Sequence, residues 1–296
     1  MSTNPNISLE LVQRITDSFG KSVESISHVP AEKIARDAVD EGKIHSQIKL
    51  LCDTLGISTS NLAGKKILEV GSGLGIFLAV VRRDYQAETW GLEPSSEGFE
   101  SSHLLAREIL QTYHLNPDII LNAKGESIPF EDDVFDIVFS STVLEHTENP
   151  QQVIREAVRV LKPEGYLQFA FPNYGSFFEG HYVIPWIPYL NHTLAHFWVK
   201  LWGRDPAFMH TIQLLNYFKV KNWVSQMDNI RVITFGEEVF RQRMSHLSNM
   251  PEWAGLSKLK KWLQLLQKLK LIPLATNLLI RIKSFEPIIL TLQKVK

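Results

Sequence analysis

The sequence is nearly devoid of cysteine, and it contains no long apolar run. Cys52 is the single cysteine among 296 residues, so an internal disulfide is excluded. This usage fits a reducing compartment, and we expect a cytoplasmic protein. No apolar segment approaches the length of a membrane-spanning helix, and the polar N-terminus lacks the basic-then-apolar order of a signal peptide.

Charge of one sign is also scarce, because the formal net charge is -1. This balance argues against a nucleic-acid-binding surface, so we expect no nucleic acid as a partner. A hydrophobic content of 44% and a charged content of 21% are typical of a globular chain. The charge is unevenly distributed, since residues 256–296 contain nine Lys or Arg and one acid.

Two common nucleotide motifs are missing from the stretch Lys66 to Gly75, which reads Lys-Ile-Leu-Glu-Val-Gly-Ser-Gly-Leu-Gly. The third glycine of a dinucleotide fingerprint would fall at Ile76, and no P-loop lysine follows. What remains is a short apolar strand, a glycine turn and a segment that can be helical. That order is the entry unit of a nucleotide-binding α/β fold. Glycines leave no Cβ between main chain and ligand.

Two acids mark the ends of neighbouring predicted strands. Glu69 lies within an otherwise apolar strand, where a carboxylate is unfavourable unless a ligand uses it. Glu93 ends the second predicted strand, where a carboxylate can accept both hydroxyls of a ribose. The pair therefore predicts a nucleoside-binding edge.

Strand and helix patterns alternate through the middle of the chain. Such alternation predicts a parallel sheet with helices on both faces. The five predicted strands cover residues 66–70, 88–93, 119–122, 135–140 and 166–171.

The spacing Glu-x-Gly-x-Gly-x-Gly at Glu69 to Gly75 resembles motif I of class I S-adenosylmethionine-dependent methyltransferases. Leu144-Glu145-His146 and the segment Arg159 to Gly165 are similar to the ubiquinone/menaquinone-biosynthesis type of these enzymes. The resemblance covers residues 62 to 173. It implies a Rossmann-like, doubly wound, mostly parallel sheet, S-adenosylmethionine as cofactor, and methyl transfer to a small-molecule acceptor.

One position departs from the family pattern. Lys124 stands where the family usually has the aspartate that contacts adenine, and a lysine side chain has only donors. Gly125 or Glu126 would then take over the adenine edge. The cofactor-binding residues implied by the resemblance are Glu69, Gly71, Ser72, Gly73, Gly75, Glu93, Pro94, Gly125, Glu126 and Ser141.

Two histidines are candidates for catalysis. His146 follows the fourth strand and His181 lies in the segment after the fifth, and either could act as general base toward an acceptor hydroxyl. A structural role is the alternative for each. No Cys, His and carboxylate set has zinc-ligand spacing, so we predict no metal site.

The chain divides into three predicted parts. Residues 1–61 form a helical cover, 62–240 the methyltransferase core with an aromatic-rich insertion at 173–208, and 241–296 a basic helical extension. In the extension, Trp262 and Leu263 lie on an apolar side among lysines. That pattern favours either peripheral membrane contact or packing against the protein itself.

Three functions are compatible with these patterns. The first is methyl transfer to an aromatic, lipid-like or glycan-linked small molecule, with the helical cover and the insertion forming the pocket. The second is a non-catalytic nucleotide-binding adaptor, which Lys124 and the basic helical extension favour. The third is a nicotinamide-dependent oxidoreductase, against which Ile76 counts.

Overall fold

The computed structural model describes residues 6–95, 100–245, 267–268 and 270–295. The strands are β1 Lys66–Val70, β2 Glu88–Leu92, β3 Ile120–Leu121, β4 Phe135–Ser141, β5 Leu161–Phe171, β6 Phe178–Glu179, β7 Ile184–Pro185, β8 Ile230–Thr234 and β9 Ile288–Lys294. The helices are α1 Leu9–Ile15, α2 Lys21–Ser27, α3 Ala31–Ala38, α4 Glu41–Leu55, α5 Ile76–Tyr85, α6 Glu100–Thr112, α7 Pro150–Val160, α8 His192–Leu201, α9 Tyr217–Val224, α10 Glu237–Ser245 and α11 Ile272–Arg281.

Seven strands form one sheet in the order β3-β2-β1-β4-β5-β9-β8. The strands β1 to β5 pair in parallel, and β9 runs antiparallel to both of its neighbours. The strand order reverses between β1 and β4, and ligands of open α/β sheets bind outside the carboxyl ends of the strands at such a point. The predicted fold, a mostly parallel doubly wound sheet with flanking helices, is confirmed.

Helices cover both faces of the sheet with apolar side chains. On one face Val153 and Ala157 of α7 are buried, and on the other Phe77 of α5 and Ile109 of α6. The N-terminal helices extend this second layer, since Ile48 of α4 is fully buried in it. Residues 6–55 therefore pack on the core as a further helical layer.

The insertion after β5 has an apolar cluster of its own. Tyr182 and Trp186 are buried there together with Val199 of α8 and Met209. The two-stranded hairpin β6–β7 lies within it. Tyr174, Tyr182 and Trp186 thus form the interior of a small lobe beyond the carboxyl edge of β5, whereas other aromatic residues of the segment, such as Phe177 and Phe197, are exposed.

The interpretation of the last residues as helical is wrong for 288–294. Helix α11 ends at Arg281, and β9 then enters the sheet between β5 and β8. Pro287 is unfavourable for a continuing helix, and the run Ile288 to Leu292 is buried on both faces as a central strand. The predicted membrane-facing or self-packing residues Trp262 and Leu263 lie outside the described residues. Among the described helices, none is long and apolar enough to cross a membrane.

Candidate active site

A glycine turn connects β1 to α5 at the reversal of the strand order. The amides of Gly71 and Ser72 both donate to the carbonyl of Leu92, at 2.8 and 2.9 Å, which fastens the turn to the end of β2. Gly71, Gly73 and Gly75 all have positive φ. A Cβ at Gly71 would overlap the side chain of Val143, whereas a Cβ at Gly73 would meet no heavy atom within 4 Å. The space beside the turn is therefore filled by protein atoms at Gly71 and is empty at Gly73.

Glu93 lies directly after β2 and faces this turn. Its Oε2 accepts a hydrogen bond from the amide of Gly73 at 2.8 Å, and the residue is 7% exposed. Burial raises the pKa of Glu93, although the Gly73 hydrogen bond opposes the shift. A buried carboxylate with so little compensation is favoured when further hydroxyl donors reach it.

Glu69 and Ser72 contain buried polar atoms that lack partners among the described residues. Neither Oε2 of Glu69 nor Oγ of Ser72 has a hydrogen-bond partner. Burial, and next the carboxylate of Glu93, raise the pKa of Glu69 well above 4.5. Two buried acids, an unpartnered hydroxyl and an open glycine fit a ligand that brings hydroxyl and ammonium donors, as an adenosyl amino acid does.

The loop after β3 places the predicted adenine-edge residues beside the same turn. A Cβ at Gly125 would lie 2.9 Å from Cγ1 of Val70, so glycine is required by the close approach to the end of β1. Glu126 accepts from the amide of Asn149, the N-cap of α7, at 3.1 Å. Lys124 is exposed and pairs with Glu148. The side chain of Glu126 thus has a structural partner, and its predicted contact with adenine stays a prediction.

The other predicted positions lie along the same carboxyl edge. Pro94 follows Glu93 and is half-buried. Ser141 ends β4, and its carbonyl accepts from the hydroxyl of Thr142 at 2.7 Å. Thr142 itself has a φ of 56°. The backbone bends sharply here and carries the chain into the short turn Leu144–His146.

His146 and His181, distant in sequence, meet in space. Their ring centroids are 5.2 Å apart and their planes perpendicular. Oε1 of Glu145 lies 3.8 Å from Nε2 of His146 and 3.7 Å from Nε2 of His181. Glu145 is fully buried, and neither carboxylate oxygen has a hydrogen-bond partner. Burial raises the pKa of Glu145 to about 7.

A second carboxylate holds His181 from the opposite side. Oε1 of Glu179 lies 2.8 Å from Nδ1 of His181 and accepts from the hydroxyl of Tyr174 at 3.1 Å, and Oε2 accepts from the amide of Tyr182 at 2.7 Å. Burial alone would lower the pKa of His181, but the hydrogen bond to Glu179 and the charges of Glu179 and Glu145 together outweigh it, so the pKa is raised. Burial, and next the charge of His181, lower the pKa of His146 to about 4.

Sequence reasoning gave no role to Glu145, Glu179 or Tyr174. Glu145 was visible within Leu-Glu-His, but nothing local indicates that it faces a histidine of the insertion. The backbone amide of Gln213, which follows the insertion, donates to the carbonyl of Glu145 at 2.7 Å. This hydrogen bond joins the end of the insertion to the turn that contains Glu145.

Comparisons with known proteins match the middle of the chain to methyltransferases. Residues 68–169 match the family model described as a methyltransferase domain. An uncharacterized methyltransferase of Mycobacterium tuberculosis is 31% identical over 118 residues, which are 40% of this chain and 43% of that protein. One of Mycobacterium leprae is 32% identical over 118 residues, 40% of this chain and 41% of that protein. The match thus spans about two fifths of the length of these relatives.

Solved structures with a related arrangement include the YcgJ protein of Bacillus subtilis, with a TM-score of 0.47 and 17% identity, covering 85% of this chain and 99% of that one. The Haemonchus contortus phosphoethanolamine N-methyltransferase 2 has a TM-score of 0.44 and 15% identity, covering 79% and 49%. The family model confirms that residues 68–169 resemble a methyltransferase domain. The ubiquinone/menaquinone subtype stays a prediction.

Proposed function

We propose that the protein is an S-adenosylmethionine-dependent methyltransferase that acts on a small-molecule acceptor. The observation that carries this proposal is the pairing of Glu93 with the open glycine turn. Its carboxylate is 7% exposed and is held by the amide of Gly73 at the point where the strand order reverses. A nucleoside ligand placed there gains both the acid for its ribose and bare main chain for its remainder.

The described residues supply distinct contacts for the cofactor. Glu93 would accept from the ribose hydroxyls, and Glu69, Ser72 and the carbonyl of Ser141 would receive the amino acid part. Gly125 and Glu126 border the base. The sulfonium supplies an activated methyl group, so the protein needs mainly to align donor and acceptor and to exclude water.

The acceptor side of the proposal rests on the histidines and the insertion. The neutral ring of His146 can accept the proton of an acceptor hydroxyl, although a pKa lowered to about 4 makes it a weak base. Phe208 lies against both rings, with centroids 5.8 Å from His146 and 5.4 Å from His181. This aromatic wall supports an aromatic, lipid-like or glycan-linked acceptor.

The adaptor and oxidoreductase alternatives have less support. The family model describes a methyltransferase domain, and Ile76, where a dinucleotide site needs glycine, is buried at the start of α5. An adaptor remains distinguishable by experiment, since it would not need to bind the cofactor product.

Calorimetric titration with S-adenosylhomocysteine tests the proposal. The wild-type chain should bind with a micromolar Kd. Glu93→Ala should weaken binding at least about tenfold, because it removes a charge-assisted acceptor worth about 1.5–3 kcal/mol. Glu88→Ala is the matched control, since Glu88 is exposed at the opposite end of the same strand.

Each outcome bears on the assignment. Loss of affinity in Glu93→Ala, with wild-type affinity in Glu88→Ala and an unchanged melting temperature in both variants, supports the site. Equal affinities of wild type and Glu93→Ala would remove the ribose contact from the proposal. No binding by the wild type would favour the adaptor.

A further inference from the structure

Three potential metal ligands converge at the end of β4. The ligand atoms of Glu145, His146 and His181 all lie within 4.8 Å of one another. The separations of 3.7 and 3.8 Å from Oε1 of Glu145 are too long for hydrogen bonds. Ligand atoms about 2.0–2.2 Å from a tetrahedral ion are about 3.3–3.6 Å apart, so small side-chain shifts would bring all three onto one ion.

The carboxylate of Glu145 lacks a partner where it needs one. It is fully buried, neither oxygen has a hydrogen bond, and no Lys or Arg of the described residues forms an ion pair with it. Buried charges in proteins are paired or coordinate metals. The buried carboxyl group of Glu179 and the half-buried one of Glu286 lie near enough to add to the unfavourable potential. A divalent cation would offset it.

His181 is oriented as a metal ligand would be. An ionised Glu179 can only accept, so in the neutral ring of His181 Nδ1 carries the proton and Nε2 has the lone pair, 3.7 Å from Oε1 of Glu145. Histidines that bind metals commonly donate their other ring N–H to a carboxylate, which fixes the ring and its tautomer. The contact with Glu179 thus has the form of a carboxylate–histidine–metal arrangement.

A second cluster of carboxylate and histidine side chains differs in that an arginine pairs with its carboxylates. Glu41, His45 and Asp84 also lie within ligand distance of one another. There Arg83 donates to both carboxylates, to Glu41 at 2.8 and 3.0 Å and to Asp84 at 2.6 and 2.7 Å. The guanidinium already supplies the cation. At Glu145 no Lys or Arg of the described residues does so.

We propose that Glu145, His146 and His181 bind one divalent cation of the zinc, cobalt or iron(II) type. Two imidazoles and one carboxylate suit these metals better than magnesium or calcium. Three protein ligands leave a position for one more ligand, as in catalytic rather than structural sites. An oxygen of the methyl acceptor fits that position. This last role rests on the proposed function, whereas the ion site itself is independent of it. Binding of the acceptor oxygen by the ion would replace proton transfer by the histidines.

Titration of the chelator-treated full-length chain with Co²⁺ tests the site. We expect one equivalent to bind with visible d–d absorption, and Zn²⁺ to displace it. Glu145→Gln and His181→Asn should each weaken Co²⁺ binding more than about 100-fold, and Glu179→Gln about 10–100-fold through loss of ring orientation. His45→Asn, in the cluster that Arg83 neutralises, is the matched control and should bind like the wild type.

Melting temperatures separate folding from binding. Zn²⁺ should raise the melting temperature of the wild type and of His45→Asn but not of Glu145→Gln. An ion stabilises a folded protein only if the folded protein binds it. A wild-type chain that binds no Co²⁺, or ligand variants that bind it as well as the wild type, would overturn the proposal.

The test also distinguishes this site from the cofactor site. If the chelator-treated chain still binds S-adenosylhomocysteine but no Co²⁺, the ion site fails and the methyltransferase proposal stands. If Co²⁺ binds to Glu145 and the histidines while S-adenosylhomocysteine does not bind, the ion site stands and the cofactor assignment fails.

Discussion

At the scale of single residues, two glycines of the turn between β1 and α5 are expected to differ in role, Gly71 in stability and Gly73 in ligand binding. Gly71 has a φ of 73° and faces Val143 so closely that even a methyl group overlaps it. Gly71→Ala should therefore lower the free energy of unfolding by about 2–3 kcal/mol, from backbone strain and overpacking. Gly73→Leu should lower it by only about 1 kcal/mol, because the Cβ enters open space. Urea unfolding measures both values.

The losses in ligand affinity should have the reverse order, with the larger loss in Gly73→Leu and the smaller one in Gly71→Ala. The side chain in Gly73→Leu projects where the main chain approaches the proposed cofactor, so binding of S-adenosylhomocysteine should be lost although the fold survives. Gly71→Ala, tested at a temperature where it is folded, should retain measurable affinity. Retained affinity in Gly73→Leu would place the ligand elsewhere.

The residues of the cofactor site were predictable because their signals are local. Glu69 and the three glycines lie within seven positions, and Glu93 is identified by the strand that it ends. The ring of His181 beside Glu145 was not predictable. It depends on the amide of Gln213 and on the path of the insertion, neither of which any short spacing encodes.

At the scale of elements, the carboxylate of Glu41 links the N-terminal helices to the core, in addition to their apolar packing. Glu41, at the start of α4, accepts from Arg83 of α5 and from the hydroxyl of Tyr113 at 2.5 Å. The hydrogen bond from Arg83 lowers the pKa of Glu41 to about 2, against the opposing effect of burial. A carboxylate whose folded pKa is depressed adds stability above its unfolded pKa and loses it as the pH falls.

We therefore expect Glu41 to contribute about 1–2 kcal/mol at neutral pH, allowing for the partial exposure of Arg83, and to lose this contribution between about pH 4.5 and pH 2. Glu41→Gln should be less stable than the wild type at pH 7 and nearly equal to it at pH 2. Thermal melts across this range give the difference. Glu32→Gln, in an exposed helical ion pair with Arg36, should change little. A constant gap for Glu41→Gln would contradict the assignment.

The strands were predictable where hydrophobic runs follow glycine or proline turns, and β1, β2 and β4 lie close to their expected positions. β5 begins at Leu161 rather than at Tyr166, so Pro163 and Gly165, which were expected to precede it, lie within the strand. The strand β9 was missed because its residues Ile288 to Leu292 come directly after a basic helical pattern, and a short apolar run that follows the interruption at Pro287 can be helix as well as strand. Its partners β5 and β8 are far away in sequence. Only the complete sheet shows that a gap between them requires one more strand.

At the scale of the whole molecule, the sheet is joined by a strand from the other end of the sequence. β9 pairs with β5 on one side and with β8 on the other, and Leu290 and Leu292 are fully buried. The β8 strand lies at the edge, and its Val232 and Ile233 are each 39% exposed. The last strand is therefore more central than the one that precedes it.

Hydrogen exchange of the native protein tests this arrangement. Because amides of central strands open only with the global unfolding of the core, those of β9 should exchange as slowly as those of β4, and those of β8 should exchange faster. Leu290→Ala should accordingly remove about 2–5 kcal/mol of stability, against less than about 1 kcal/mol for Val232→Ala. Fast exchange throughout 288–294 would mean that these residues form a separable tail, and the fold of the proposed cofactor edge would then depend on β1 to β5 alone.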